Sequence, residues 1–216
     1  MLQLGPELFE ELNAKQWVGN QEPVIYGQGG LSDREIASIE AQLGFSWPED
    51  FKYLFQNIRD PGGVLFPWAD FNKERYDELI EWVLQGIEFD IEKANLWMLR
   101  WGDQPKVLSE ALAIARHDFL TWPKLLPISG HRFLAAEPCL PDNPVFSIVQ
   151  TDIIYYGANL AHYLLHEFCS RGCYAFHTHE QAPRKIDVWS GFAEDDNNLL
   201  AWPSGVASGA RAPWAG

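Results

Sequence analysis

The chain has 216 residues, 47% of them hydrophobic and 14% aromatic, a composition too apolar for a disordered protein and long enough to bury a substantial core. Its formal net charge of −14 is spread along the length: ten acids against four bases in residues 1–60, eight against four in 61–100, and twelve against eight in 101–216. No window gathers the lysines and arginines that displace phosphate counterions, and no apolar run approaches the ~18 residues of a membrane helix, which argues against direct nucleic-acid binding and against a membrane span.

Residues 1–15 read as a short acidic amphipathic helix with Leu8, Phe9 and Leu12 on one side, unlike a signal peptide. The cluster Gly27-Gln28-Gly29-Gly30 lacks the lysine and the strand-to-helix setting of a phosphate loop and reads as a linker. Ser32 followed by Glu35 fits a capping box, and Ile36, Ile39 and Leu43 form one apolar stripe. Gly44 can end that helix in a left-handed conformation, and Pro48 suits the first turn of the next.

Asp60-Pro61-Gly62-Gly63 is a turn signal, and Val64-Leu65-Phe66 then reads as a short strand. Asn72 can cap a helix to about Gln85, with Leu79, Ile80, Val83 and Leu84 inward. Alternation around Ile87, Phe89 and Ile91 predicts a strand, and Leu96 to Leu99 another. Pro105 opens a further helix, with Val107, Leu108, Leu112, Ile114 and Ala115 as its buried side. Strands follow at Leu125 to Ile128, Arg132 to Ala136 and, after a proline-rich loop, Val145 to Val149, whose β-branched residues suit a central strand. Asp152 to Tyr156 continues as strand or turn, and Asn159 to Ser170 forms the last strong helix. Helices first, then strands, then a helix predict an α+β fold with a single mixed or antiparallel sheet flanked by helices.

Two blocks carry a family resemblance. An amphipathic helix, Leu43-Gly44 and Trp47-Pro48-Glu49-Asp50-Phe51 resemble the opening motif of the SUKH superfamily, with Trp47 at the usual leucine. Trp122 to Phe168 resembles the later strands and closing helix of a bacterial branch of that family, as does Gly63 to Trp68. The resemblance spans about Leu31 to Trp189. It implies a SUKH-like domain over 31–192, preceded by the N-terminal helix and glycine-rich linker at 1–30 and followed by an irregular extension at 193–216. The family includes fungal cell-wall-assembly regulators and bacterial immunity proteins, so the resemblance implies a binding role and names no reaction.

Candidate chemistry is sparse. His162 and His166, with Glu167 beside them, sit at i, i+4 on the last helix, but the order HYLLHE lacks the water-activating carboxylate of a zinc protease. Cys169, Cys173, His177 and His179 could supply four zinc ligands to a small metal-dependent hydrolase, although the spacing matches no standard zinc finger and the resemblance implies no metal. No serine lies in a nucleophile elbow, and Asp195-Asp196 reads as a solvated turn. The expectation is therefore a non-catalytic chain without cofactor.

Polar groups set among aromatics near the strand ends are the candidate partner-binding residues: Trp68, Asp70, Trp97, Trp101, His131, Arg132, Gln150, Asp152, Tyr155 and Tyr156. The alternative is that His131-Arg132 and Gln150-Thr151-Asp152 pair with each other in a buried polar seam. The ten tryptophans likewise either pack a core or line a groove. Acidity favours a basic partner through electrostatic steering, as an inhibitor of a basic toxin domain would need, and it also simply aids solubility. Three cysteines leave one unpaired, which together with the N-terminus predicts a cytoplasmic protein. A housekeeping scaffold or regulator of the same fold is the softer alternative to an immunity protein.

Overall fold

Ser32 and Gly44 bound the helix that the sequence marks most strongly. In the computed structural model, which describes residues 3–15, 22–169, 182–196 and 199–201, the Ser32 hydroxyl accepts from the Glu35 N–H, and the Glu35 carboxylate accepts from the Ser32 N–H at 2.7 Å. Gly44 closes the helix at φ +80°, the left-handed region that a side chain would disfavour. This helix is α2 (Asp33–Leu43), preceded by α1 (Pro6–Lys15) and followed by α3 (Glu49–Gln56). Pro48 stands one residue earlier than expected, as the N-cap of α3 in an extended conformation. Two-residue strands that no sequence signal marked bracket this hairpin: β1 (Ile25–Tyr26), before α2, pairs antiparallel with β2 (Ile58–Arg59), after α3.

The main sheet is four-stranded and antiparallel, in the order β4 (Leu125–Ser129), β5 (Arg132–Ala135), β6 (Val145–Val149), β7 (Asp152–Gly157). The fold is α+β, as expected, and the sheet is covered on both faces. Leu126, Ile128, Leu134 and Val145 face one core with α1, α2, α3 and α6 (Leu160–Phe168). Leu125, Phe133, Phe146, Ile148 and Ile153 face a second core with α4 (Lys73–Lys93), α5 (Leu108–Phe119) and α7 (Trp189–Ala193). Burial on both faces explains why β4 and β6 are runs of apolar residues instead of alternating ones.

The structure corrects three expectations. The stretch around Ile87, Phe89 and Ile91 is the second half of α4 and not a strand. Val83, Ile87 and Ile91 recur every four residues along the buried side, while Phe89 faces outward. Gly86 does not stop the helix; it lets α4 cross the β6–β7 turn, where an added Cβ would lie 2.8 Å from Gln150 Cα. Val64 to Phe66 forms no strand, although the Phe66 N–H donates to the Ile128 carbonyl at 2.7 Å and so covers the outer edge of β4. In α5 the buried residues are Ala111 and Ala115, because Val107 precedes the helix as its cap and Leu108 opens its outer side.

Leu96 to Leu99 is half borne out: β3 (Trp97–Met98) is a two-residue strand that passes directly into a 3-10 turn at Leu99–Trp101. Its antiparallel partner is β8 (Leu200–Ala201), so this part of the C-terminal extension returns to the body of the fold. Ser170 and residues 202–216 lie outside the described residues.

Candidate protein-binding surface

The ten residues expected at one groove separate into five places. Trp68 is 1% exposed, its indole N–H donates to the Pro127 carbonyl at 3.0 Å, and its ring packs edge-on against Trp47 at 4.6 Å. It is a core residue, and Asp70, two positions on, is exposed. Trp97 and Trp101 meet edge to face at 4.8 Å beside α5. There Asp118 gathers three cationic or polar donors on one carboxylate oxygen: the indoles of Trp101 and Trp122, each at 2.8 Å, and the Arg100 guanidinium, whose Nε is at 2.9 Å. Burial opposes ionisation of Asp118, but these hydrogen bonds outweigh it and hold the carboxyl below the usual aspartate range. That junction ties the 3-10 turn to α5.

Arg132 and Tyr156 do come together, on the α6 side of the sheet. The guanidinium carbon lies 3.6 Å from the Tyr156 ring centroid, Nη1 donates to Ser147 Oγ at 2.8 Å, and Glu167 of α6 stands 3.7 Å away. The His166 ring tilts against that of Tyr156, their centroids 4.6 Å apart. His131 is half-buried nearby; burial and the Arg132 cation depress its pKa, opposed by Glu167. The charges of this group are matched internally, with partners other than the seam expected from Gln150 to Asp152. Gln150 instead holds the tight β6–β7 turn at φ +56°, Thr151 donates its N–H to Asp90 of α4 at 2.9 Å, and Asp152 is exposed. Tyr155 points to the opposite face, its hydroxyl donating to Glu194 at 2.9 Å.

The residues of the helix–proline motif hold the architecture together. Trp47 is fully buried, and its backbone N–H donates to Glu40 at 2.6 Å. Asp50 accepts from the Phe51 N–H at 3.0 Å, at the start of α3, and from the Asp142 N–H at 2.9 Å. It thereby fastens the proline-rich loop before β6 to the α2–α3 hairpin.

The open surface lies elsewhere. A groove of about 460 Å³ runs between α4 and the segment 63–66, floored by Pro127, Ser129 and Gly130 at the end of β4. Its walls are apolar at Val64, Leu65, Phe66 and Leu79, with Arg75 and Glu78 at the rim. Trp82, 43% exposed, overhangs it, and Phe89 at 47% continues the same helical face two turns on. The sequence carried a signal for this groove: Trp82 stands beside the stripe of Val83, Ile87 and Ile91 instead of within it. The sequence marks α4 correctly up to Gln85 but not its opposing wall, because Val64 to Phe66 is brought beside α4 by long-range bonds to β4, from the Phe66 N–H to Ile128 and from the Ser129 hydroxyl to the Val64 carbonyl.

Among the described residues no group of three or more His, Cys, Asp or Glu side chains is arranged to hold a metal. Cys169 caps α6, whereas Cys173, His177 and His179 lie outside the described residues. No described helix is long and apolar enough to cross a membrane. Comparison of the chain with family models, with curated proteins and with solved structures finds no match.

Proposed function

We propose that this chain is a non-catalytic protein-binding domain of SUKH type whose partner is basic, with neutralisation of a toxin domain in the cytoplasm as its biological role. The observation that carries the reading is the acidity of the molecule combined with an exposed aromatic face. Thirty acids oppose sixteen bases, and α4 alone holds seven acids against three bases around Trp82 and Phe89. An acidic surface accelerates encounter with a basic protein by steering, and half-exposed aromatics supply the anchors that fix the encounter. The matched motif residues support the SUKH comparison in one respect: Trp47 and Asp50 occupy structural positions, as residues shared by a fold should. The internally matched Arg132 and Asp118 clusters are better suited to bracing elements than to acid–base work.

The test is affinity purification of the tagged chain from its native host, followed by mass spectrometry. Recovery of a basic protein carrying a toxin domain is expected. Elution without any partner from cells that express both chains would remove the reading.

A further inference from the structure

The groove beside α4 has a chemistry that narrows what it takes. Phe66 and Leu79 offer an apolar trough, Trp82 a half-exposed indole face, and Glu78 a rim carboxylate that, among the described residues, no cation pairs with. The neighbouring carboxylates of α4 are already occupied: Asp77 by Lys73, and Glu81 and Glu88 by Arg116. Glu78 is therefore an acidic contact left open at the edge of the trough, and Glu74 stands one turn further along the same acidic flank. Arg75 is drawn aside over the Phe66 ring, 5.8 Å from its centroid, and so lies along the trough wall.

We infer that this groove is the docking site for an extended segment of a basic partner protein, seating one arginine or lysine between Trp82 and Glu78 with an apolar side chain on each side. This deepens the binding reading above and rests on it. The aliphatic stem of the basic residue lies on the apolar wall, its cation stacks on the indole and pairs with Glu78, and the flanking apolar groups fill the trough at Leu79 and Phe66. Charge complementarity selects this occupant. A second copy of the same chain would bring another acidic surface to the groove, and an acidic segment, although it could reach Arg75 on the wall, would meet the carboxylates of Glu78 and Glu74.

The experiment is a titration of the full chain into fluorescein-labelled acetyl-GLRLRLG-amide, followed by anisotropy, with acetyl-GLELELG-amide as the charge-reversed control. The expected result is saturable binding of the basic peptide alone. Affinity should fall roughly tenfold or more in Trp82→Ala and in Glu78→Gln, and it should weaken as salt rises from about 0.05 M to about 0.5 M. Equal binding of the two peptides, no binding up to about 1 mM protein, a weak-interaction limit, or binding indifferent to both substitutions would overturn the assignment. So would concentration-dependent dimerisation, measured by sedimentation, that disappears in Trp82→Ala. A native partner captured equally by wild type and Trp82→Ala would overturn the groove while leaving the binding reading standing. Absence of any native partner would strike the reading itself.

Discussion

Two tryptophans fourteen positions apart have opposite roles, and stability measurements separate them. Trp68 is buried among Trp47, Phe51, Phe66 and Phe71, with its N–H bonded to Pro127. Trp68→Ala leaves a large cavity and an unpaired carbonyl, and should cost about 3–5 kcal/mol by urea unfolding. Trp82→Ala removes a half-exposed ring and should change stability by less than about 1 kcal/mol, which is why it serves as a binding probe. Asp118 provides a pH-dependent contrast. Its carboxyl ionises more readily in the folded chain than in the unfolded one, so its stabilisation is complete above the ordinary aspartate value of about 3.9 and is lost as pH falls below it. The stability gap between wild type and Asp118→Asn, measured by urea titration, should therefore be wide at neutral pH and shrink at about pH 2. A gap independent of pH would show that the carboxylate charge contributes nothing there.

At the scale of elements, α4 is the informative case. Gly86 in a helix interior normally costs about 1 kcal/mol relative to alanine. Here the gain from Gly86→Ala meets backbone, since the new Cβ would press on Gln150 Cα and N, and that turn is held by Thr151 bonding to Asp90. A net destabilisation of about 1–3 kcal/mol is expected by thermal unfolding, and a raised Tm would refute the close crossing. The same glycine is why the sequence misled. Gly86 together with the alternation Ile87, Phe89, Ile91 imitates a strand, yet Val83, Ile87 and Ile91 also fit a helix, and only contact with the sheet decides between the periods. Signals that are local were legible: the Ser32–Glu35 box, the Gly44 stop, Asn72 as a cap, the start of the last helix at Asn159, and the apolar runs of β4 and β6. The β1–β2 and β3–β8 pairs were not, because two-residue strands are fixed by partners more than 30 and more than 100 positions away and leave no period to read.

The candidate site divides along the same line. Arg132 and Tyr156 were identified as polar groups among aromatics, and they do meet, but the identities of Ser147 and Glu167 as their partners depended on strand register and on α6. The groove depends on still more distant pieces.

For the whole molecule, we propose that an acidic chain with a half-exposed aromatic groove on α4 captures a basic protein. The most direct measurement is parallel affinity capture from the native host with wild type and with the Glu78→Gln, Trp82→Ala double variant as baits, quantified by mass spectrometry. One basic protein enriched on wild type, released by salt and strongly depleted on the variant is expected. Equal recovery on both baits, or no enriched protein on either, would contradict it.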